Sequence, residues 1–308
     1  MNNNKKTASV IIPAFNEEQH IQNILQALLI NDALEIIVVD NGSTDKTAEI
    51  VKQLGVNVID FPVGTIAAVR NRGVKESSAD VLVFIDADIR VSLDWHDNLI
   101  NVIENLHNSP LMITGSRVQS AEKNNWLHKY WFSELTNYSA PYINSGHLIT
   151  SRFLFDKIHG FNESLETAED YEICQKATSA GAVIYNNPEL VVTHDGYPDS
   201  IIGFIQRERW HGRQDVDSLQ LFIDSKIAWF AFSNLLLFII AVMATLSGFY
   251  YAFPAYFVIM YSLSFMLTLY KFGLKRLNYM LIMPVIFYLY LCGRALAIVD
   301  RFSGQKQK

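Results

Sequence analysis

Apolar runs of strand length alternate with amphipathic stretches in the N-terminal part of the chain. The apolar runs are ASVIIPAF (8–15), LEIIVVD (34–40), VNVIDF (56–61) and DVLVFIDA (80–87). The first amphipathic stretch repeats Ile21, Ile24, Leu25 and Leu28 at helical spacing, and further helical patterns cover 43–54 and 65–77. Strands that are apolar on both faces and alternate with helices predict an α/β fold, with a mostly parallel sheet covered by helices on both faces.

The middle of the chain, from about 110 to 222, has a less regular pattern. LMITGSRV (111–118) and AVIYNNPELVVTHD (182–195) are typical of further strands, and EDYEICQKATSAG (169–181) of a helix that ends at its glycine. At the start of the second helical pattern, Ser43, Thr44 or Asp45 is expected to cap the helix N-terminus.

Long uncharged runs dominate the C-terminal part. The runs 228–246 and 249–270 are each long enough to cross a bilayer, and a weaker third candidate, 277–299, is interrupted by Pro284 and Arg294. The sequence therefore predicts two parts: a cytosolic catalytic domain over 1–222 and a membrane region with two or three transmembrane helices over 223–308.

Positive charge indicates the orientation of the membrane helices. KFGLKR (271–276) places three cations between the second and third runs and is typical of a cytosolic loop. The first two runs then form a hairpin, and the N-terminal domain lies in the cytosol at the cell (inner) membrane. If 277–299 also crossed the membrane, the basic tail 300–308 would lie on the non-cytosolic side, against the positive-inside trend. The alternative is that this run ends near the lipid headgroups, where the Arg294 side chain can reach water.

The net charge and the cysteine content limit the classes of partner and cofactor that the chain is expected to bind. The 308 residues carry a net charge of −6 and the pI is about 5.7, which argues against nucleic acid because nucleic-acid-binding proteins usually present a basic face. Cys174 and Cys292 lie far apart without metal-ligand spacing, so neither a structural disulfide nor a zinc site is expected, and a reducing compartment fits.

Carboxylates follow the predicted strands at the sheet edge where ligands of such sheets bind. Asp86 and Asp88, one residue apart after a buried strand, form a D-x-D pair suited to a divalent cation such as Mg²⁺ or Mn²⁺. Such a cation usually completes its shell with substrate phosphates. The alternative is that Asp88 caps a turn.

Four segments occur in an order and spacing that resemble the family 2 inverting glycosyltransferases with the GT-A nucleotide-diphospho-sugar transferase fold. They are VIIPAFNEE (10–18), IIVVDNGSTDKT (36–47), AAVRNRGVKESSADVLVFIDAD (67–88) and AEDYEICQKATSAG (168–181). The resemblance covers roughly residues 8 to 215. It implies a nucleotide-sugar donor, UDP- or GDP-linked, and a divalent metal, Mn²⁺ or Mg²⁺.

The resemblance also implies roles for the residues at the first strand ends. Pro13, Asn16 and Glu17 match the segment beside the ribose and base, and Asp40 matches the acid that accepts a hydrogen bond from the base. Asp40 is alternatively the opener of a turn before Gly42.

An Arg-Asn pair and two acidic motifs complete the implied donor and catalytic groups. Arg70 and Asn71 match a pair near the nucleotide and diphosphate, although a solvated helix face also explains them. Asp88 matches the metal ligand, and Asp86 matches a contact to ribose, metal or metal-bound water. In Glu169-Asp170, Asp170 matches the general base; the alternative is an acidic first helical turn that complements the helix dipole.

Later in the chain, Gln206, Arg209 and Trp210 fit Q-x-x-R-W, a motif of processive members of the family. Arg209 would hold the diphosphate and Trp210 would offer a ring to a sugar; an interfacial helix is the alternative. His194 is a candidate further metal ligand or a turn histidine. The aromatic residues Trp126, Tyr130, Trp131 and Phe132 suit either a lipid-linked acceptor at the bilayer surface or ordinary core packing.

The expected function is a membrane-anchored glycosyltransferase. It would transfer a sugar with inversion to a polyprenyl phosphate or lipid-linked saccharide at the cytosolic membrane face, because a soluble acceptor needs no anchor. A processive polysaccharide synthase and a catalytically degenerate membrane scaffold are the alternatives. A nucleotidyltransferase should carry a glycine-rich phosphate loop after its first strand, which PAFNEEQ (13–19) lacks.

Overall fold

The computed structural model describes residues 6–116, 118–121, 125–136 and 141–303. The strands are β1 (Ala8–Ala14), β2 (Leu34–Asp40), β3 (Asn57–Asp60), β4 (Val81–Ile85), β5 (Ile89–Val91), β6 (Met112–Gly115), β7 (Val118–Ser120), β8 (His147–Ser151), β9 (Val183–Asn186) and β10 (Val192–His194). The helices are α1 (Ile21–Leu28), α2 (Thr47–Gln53), α3 (Ile66–Glu76), α4 (Trp95–Asn108), α5 (Ser133–Thr136), α6 (Arg152–Lys157), α7 (Glu169–Ser179), α8 (Ile201–His211), α9 (Leu219–Asp224), α10 (Lys226–Leu246), α11 (Ala252–Phe272) and α12 (Leu277–Ser303).

These elements form two compact units. The first contains every strand together with α1–α4, α6 and α7, and the second contains residues 125–136 and everything from 197 onward. The second unit thus begins before 222, the predicted domain boundary. Which of its residues lie outside a membrane stays a prediction.

The first unit is built on a seven-stranded sheet with the order β3-β2-β1-β4-β8-β6-β9. The pairs β1–β2, β2–β3, β1–β4 and β6–β9 are parallel, whereas β8 runs antiparallel to both of its neighbours. A smaller sheet has the order β5-β10-β7. The α/β fold class predicted from the sequence is confirmed, with the mostly parallel sheet that the alternation of strands and helices predicts.

Both faces of the large sheet are buried. Val10 and Ile12 of β1 point into a core formed with α1 and α4, while Ile11 points into a second core formed with α3, α6 and α7. Every residue of β1 is buried, which is why its sequence is continuously apolar rather than alternating. On α1, the buried residues are Ile21, Ile24, Leu25 and Leu28, the four whose spacing predicted the helix.

The predicted cap of α2 is wrong. The helix begins at Thr47 with Lys46 at the N-cap position and no side-chain cap. The Ser43 hydroxyl instead bonds to Asp40, and the Thr44 N–H donates to Asn16. Asp45, one residue before the N-cap position, accepts from the Thr47 N–H at 2.9 Å, so the loop before α2 binds both the neighbouring strand ends and the first residue of the helix.

The second unit contains three helices, α10, α11 and α12, that are long and apolar enough to cross a membrane. They coincide with the three apolar runs of the sequence. A π-helical turn, His128–Phe132, packs into their core: Trp131 lies edge-on to Phe272 and Phe287, with ring centroids 5.7 and 5.5 Å apart. Trp131 and Phe132 are each 1% exposed, and Tyr130 is also buried, so core packing is the alternative that describes these aromatic residues.

A buried histidine lies beneath the sheet edge in the first unit. His147 is fully buried; the Trp95 indole N–H donates to its Nε2 at 3.0 Å, and its Nδ1 lies 2.9 Å from the Ser116 hydroxyl. Burial lowers the pKa of His147 from 6.5 to about 3, because no neighbouring carboxylate compensates the desolvation of an imidazolium.

We expect this histidine to make the protein acid-sensitive. The unfolded chain takes up a proton near pH 6.5 and the folded chain does not, so stability is complete above 6.5 and falls by roughly 1.4 kcal/mol per pH unit below it. Chemical denaturation between pH 7 and pH 4 measures this slope. A His147→Gln variant should show a shallower slope; an unchanged slope would contradict the assignment.

Candidate active site

The candidate site lies at the carboxyl ends of β1, β2 and β4. Glu17 follows β1, Asp40 ends β2, and Asp86 and Asp88 follow β4. The central β1 pairs with β2 on one side and β4 on the other, and the chain leaves β1 towards β2 but leaves β4 towards the opposite edge of the sheet, which opens a crevice between β1 and β4.

The loops after β1 and β2 are tied together by hydrogen bonds. Asn16 adopts a left-handed conformation with φ 57°, in which its N–H donates to the Ser43 hydroxyl at 2.9 Å and its Oδ1 accepts from the Thr44 N–H at 2.8 Å. Asp40 Oδ1 accepts from the Ser43 N–H at 3.2 Å and the side chain is buried. The turn-opening reading describes Asp40; its contact to a base, like those of Pro13 and Asn16, stays a prediction.

Beside these loops lies a strongly acidic cavity of about 430 Å³. It is lined by Asn16, Glu17, Glu18, Gln19, His20, Asp45, Asp88 and Gly196. Burial, followed by the charges of Asp88, Asp86 and Asp45, raises the pKa of Glu17 to about 8. Burial and then the charge of Asp86 raise the pKa of Asp88 to about 7. Negative charge is crowded here to a degree that a bound cation would relieve.

Asp88 is enclosed by the strand β10 and the turn after it. Its Oδ2 lies 3.4 Å from Nε2 of His194, the last residue of β10, and its carbonyl accepts from the Asp195 N–H at 2.9 Å. A β-carbon on Gly196 would lie 1.9 Å from Asp88 Oδ2. Glycine at 196 is therefore what allows the Asp88 carboxylate to take this position.

We expect Gly196→Ala to displace the Asp88 carboxylate without unfolding the chain, because the clashing atom is the end of a side chain. Activity should then require higher Mn²⁺ or Mg²⁺ concentrations, by about tenfold for each 1.4 kcal/mol of lost ion binding. Metal titrations of activity measure this. Gly203→Ala is a control, since its new β-carbon would lie 3.1 Å from the nearest atom, a side-chain oxygen of Ser200; equal metal requirements in both variants would contradict the argument.

Arg70 links the two acidic motifs. Its guanidinium donates to Asp86 Oδ1 at 2.7 Å and to Glu169 Oε1 at 2.8 Å, and the side chain is only 2% exposed. Burial lowers the pKa of Arg70, but the charges of Asp86 and Glu169 outweigh this and raise it overall. The solvated-face alternative is therefore wrong for Arg70, and a direct contact to the diphosphate stays a prediction.

Asp170 stands next to this ion-pair bridge, at the first turn of α7. Its Oδ2 accepts from the Asn144 amide at 3.2 Å and its Oδ1 from the Tyr171 N–H at 2.7 Å. Burial, followed by the charge of Glu169, raises the pKa of Asp170 to about 7. A carboxylate with a pKa near neutrality is suited to accept a proton from a substrate hydroxyl.

The turn before β8 contributes residues that sequence reasoning missed. The Asn144 side chain contacts Asp170, the Ser145 hydroxyl donates to Glu169 Oε1 at 2.8 Å, and the Gly146 carbonyl accepts from the Asp86 N–H at 3.1 Å. The turn signal Asn-Ser-Gly before an apolar run marks this loop, but only the antiparallel pairing of β8 with β4 brings it to the acidic motifs.

The Asn71 side chain forms hydrogen bonds with the loop that precedes α7. Its amide donates to the Phe161 carbonyl and to Glu163 Oε1, each at 2.9 Å, and its Oδ1 accepts from the Phe161 N–H at 3.0 Å. These contacts use the polar atoms of the side chain within the protein, and a role of Asn71 in donor binding stays a prediction.

The Q-x-x-R-W residues lie on α8, in the second unit. Two guanidinium nitrogens of Arg209, Nε and Nη2, donate to the Asp300 carboxylate of α12, Nε at 2.6 Å. Trp210 lies edge-on to His211, and Gln206 is exposed. These contacts do not distinguish an interfacial helix from donor binding by Gln206, Arg209 and Trp210, and both stay predictions.

The residues around Asp88 fit a divalent cation that is shared with a ligand. Asp86 and Asp88 supply hard oxygen donors, and His194 lies beside Asp88. Within the described part of the chain, no three His, Cys, Asp or Glu side chains converge closely enough to hold an ion by themselves.

Comparison with known proteins agrees with this geometry. The family model described as glycosyl transferase family 2 matches residues 9–161. Glycosyltransferase AglE of Haloferax volcanii is 26% identical over 208 residues, which cover 62% of this chain and 67% of AglE. Dolichol-phosphate mannosyltransferase of Pyrococcus furiosus is 30% identical over 166 residues, which cover 50% of this chain and 44% of that enzyme. The chain thus spans less than half of the latter's length.

Among solved structures, mannosyltransferase PcManGT from Pyrobaculum calidifontis, in complex with GDP-Man and Mn²⁺, superimposes with a TM-score of 0.58. The alignment covers 98% of this chain and 88% of PcManGT, at 18% sequence identity, and therefore shows a common fold. With the sheet order, the acidic strand ends and the family match taken together, residues 9–161 form a glycosyl transferase family 2 domain within a unit that has a GT-A-like fold.

Proposed function

We propose that this protein is a membrane-anchored, inverting glycosyltransferase. It transfers a sugar from a nucleotide diphosphate donor to a lipid-linked acceptor, either a polyprenyl phosphate or a lipid-linked saccharide. The observation that carries the proposal is the Arg70 bridge, which joins Asp86 of the D-x-D pair to Glu169, the neighbour of Asp170. A leaving-group site and a proton acceptor are thereby fixed to one another within a family 2 domain.

Asp170 is the general base in this mechanism. The acceptor oxygen, either a hydroxyl of a lipid-linked saccharide or a protonated phosphate oxygen of a polyprenyl phosphate, attacks the anomeric carbon from the face opposite the diphosphate, and its proton passes to the Asp170 carboxylate. The new C–O bond forms as the bond from carbon to the phosphate oxygen breaks, and the nucleoside diphosphate leaves with the electron pair. The Asn144 amide and the Tyr171 N–H hold the two oxygens of Asp170 in place for this transfer.

The donor end is held by the acidic strand ends. Asp88 and Asp86, with His194 beside Asp88, would hold Mn²⁺ or Mg²⁺ together with the donor's phosphates. The cation supplies neutralisation of the charge that develops on the departing diphosphate. PcManGT, which shares the fold, binds GDP-Man and Mn²⁺, and this supports a nucleotide-sugar donor and a divalent metal here.

The acceptor is inferred from the membrane helices and from the relatives. The second unit carries apolar helices that would hold the enzyme at a membrane, where lipid-linked substrates are concentrated. A relative that is 30% identical is named dolichol-phosphate mannosyltransferase, after a lipid phosphate. A processive synthase gains no support from the Q-x-x-R-W residues, because Arg209 is engaged by Asp300. Retention of both acidic motifs disfavours an inactive scaffold.

The acceptor class is tested with the full-length protein in detergent or nanodiscs. Donors labelled in the sugar are offered with Mn²⁺ and one of three acceptors: polyprenyl phosphate, a lipid-linked saccharide or a soluble oligosaccharide. We expect label to enter the organic phase only with the lipid phosphate or a lipid-linked saccharide. Transfer to the soluble acceptor alone would contradict a lipid-linked acceptor, and long products from single binding events would favour a processive synthase.

A further inference from the structure

The helix α12 has the length and composition of a third membrane span, but its contacts are those of a different element. It has 27 residues, about 40 Å at 1.5 Å per residue, and contains Pro284, Arg294, Asp300 and Arg301. Half of its most apolar window is buried, compared with 22% for α10 and for α11. The partners of its two ends show on which side of a membrane each end lies.

The N-terminal end of α12 is tied to the segment that contains the π-helical turn. The Asn278 amide donates to the Tyr130 hydroxyl at 3.3 Å, and the Tyr279 ring lies 4.8 Å from the Tyr130 ring. Just before the helix, Lys275 forms an ion pair with Glu134 at 2.7 Å. The start of α12 thus lies with the basic loop that ends α11 and with polar groups of residues 125–136.

The C-terminal half of α12 is tied to residues that precede α10. Arg294 contacts Asp215 at 2.8 Å and Glu208 of α8 at 3.3 Å, and Asp300 binds Arg209 of α8. The Arg301 guanidinium donates to the Asp217 carbonyl, which lies between α8 and α9. These charged contacts run along the whole half-helix.

Close backbone packing accompanies the charges. A β-carbon on Gly293 would lie 2.8 Å from the Ile205 carbonyl of α8, so the two helices approach as closely as glycine permits. The same α8 exposes Gln206 and part of Arg207 and Arg209. Exposed amide and guanidinium groups at hydrocarbon depth are costly, so α8 and the part of α12 packed on it lie outside the hydrocarbon core.

The hairpin of α10 and α11 is the reference for deciding on which side of the membrane each end of α12 lies. Each has 21 residues, about 31 Å, and residues 247–251 join them in a short turn, so the start of α10 and the end of α11 lie at the same end of the hairpin. Ala231, near the start of α10, packs against Ala295 and Ile298 of α12. The C-terminal end of α12 therefore lies at the start of α10, and its N-terminal end follows α11 after four residues.

We propose that α12 does not cross the membrane but returns to the face from which α10 departs, as a surface helix that rests on lipid. The proposal rests on the membrane anchoring proposed above. A crossing helix would end beside the turn at 247–251, whereas the C-terminal end of α12 contacts α8 and the start of α10. Its middle, not its end, contacts the first turns of α11, where the Tyr288 hydroxyl lies 3.1 Å from the Tyr256 hydroxyl. Residues 277–289, the part not packed on α8, would span only about 20 Å, too little for a hydrocarbon core of about 30 Å.

The lipid partner is indicated by one face of α12 and by charge. Leu281, Val285, Leu296, Val299 and Phe302 are exposed and lie along one side of the helix. This stripe fits the boundary between headgroups and acyl chains. The basic residues Lys275, Arg276 and Arg301 then all lie on one face of the membrane, as the positive-inside rule favours.

Cysteine labelling in membrane vesicles tests this topology with the full chain. Cys174 and Cys292 are first replaced by alanine, and single cysteines are introduced by Asp224→Cys before α10, Tyr250→Cys in the hairpin turn and Ser303→Cys at the end of α12. An impermeant maleimide is applied to vesicles of each orientation. We expect positions 224 and 303 to label in the same vesicles and position 250 only in vesicles of opposite orientation.

The outcomes separate this inference from the proposed function. Labelling of position 303 together with position 250 would overturn the surface-helix proposal while leaving membrane anchoring intact. Labelling of position 250 in both vesicle types, or recovery of the protein in the soluble fraction, would overturn both the surface helix and the membrane anchor. Glycosyl transfer by the unmodified chain would then show whether the enzymatic part of the proposed function still holds.

Discussion

Replacing Asp170 by asparagine is expected to slow glycosyl transfer by about 10²–10⁴-fold, the usual contribution of a positioned general base. The amide keeps the size of the side chain but cannot accept the hydroxyl proton. Donor binding should change little, because the diphosphate is expected to be held through the cation that Asp86 and Asp88 bind. Steady-state kinetics with saturating donor and acceptor, together with donor binding by calorimetry, measure both effects.

The pH profile gives an independent signature of the same residue. The pKa of Asp170 is raised to about 7, so the ionised, proton-accepting form is lost as pH falls through 7. We expect kcat to rise about tenfold per pH unit below 7 and to level off above it, and Asp170→Asn to abolish this rise. Glu172→Gln, a loss of charge on the same helix, is the control; equal losses of activity in both variants would contradict the assignment of the base.

Replacing Arg70 by methionine is expected to cost both stability and activity. The guanidinium is buried and shared by Asp86 and Glu169, so its removal leaves two carboxylates without their common cation. Breaking such a buried pair costs about 3 kcal/mol. Turnover should fall by about a hundredfold even in fully folded protein, because Asp86 is no longer fixed relative to Glu169 and Asp170. Denaturant titrations and kinetics below the unfolding transition separate the two losses.

The matched control lies two residues further along α3. Arg72 pairs with Glu76 one helical turn away, and both side chains are partly exposed. Arg72→Met should therefore lower the free energy of unfolding by less than about 1 kcal/mol and leave turnover unchanged. Similar effects of the two substitutions would show that the Arg70 bridge does not organise the site.

The sequence was sufficient to predict β1–β4, α1–α3 and α7 of the first unit and the edge at which its acidic residues meet, but not α4, β8 or α6. Continuous apolar runs predicted buried parallel strands, and the rule that ligands bind at strand carboxyl ends selected Glu17, Asp40, Asp86 and Asp88. The helical spacing on α1 predicted each of its buried residues. These features depend on neighbours close in the chain, which a one-dimensional pattern records.

Contacts between distant residues were beyond the reach of the pattern. The charge run around Arg70 looks like a solvated helix face, and only the tertiary fold buries Arg70 between Asp86 and Glu169, 16 and 99 residues away. The turn at 144–146 reaches the site because β8 runs antiparallel in a mostly parallel sheet.

The C-terminal helices show the same limit. By hydropathy alone, α12 is long and apolar enough to cross a membrane. Its ion pairs with α8 and with the residues that follow α8 determine the position of its C-terminal end in the fold. Arg294 and Asp300 carried a signal of this in the sequence, since charges inside an apolar run require partners. Which residues those partners are could not be read from one chain.

The most direct test of the central claim is release of nucleoside diphosphate by the purified full-length protein. A panel of UDP- and GDP-linked sugars is offered with a polyprenyl phosphate, with Mn²⁺ or Mg²⁺ and with a chelator, to the unmodified protein and to Asp88→Asn and Asp170→Asn. We expect release from one class of donor, dependent on the metal and lost in both variants. No release from any donor, or release that persists in both variants, would contradict a glycosyltransferase that works through these two carboxylates.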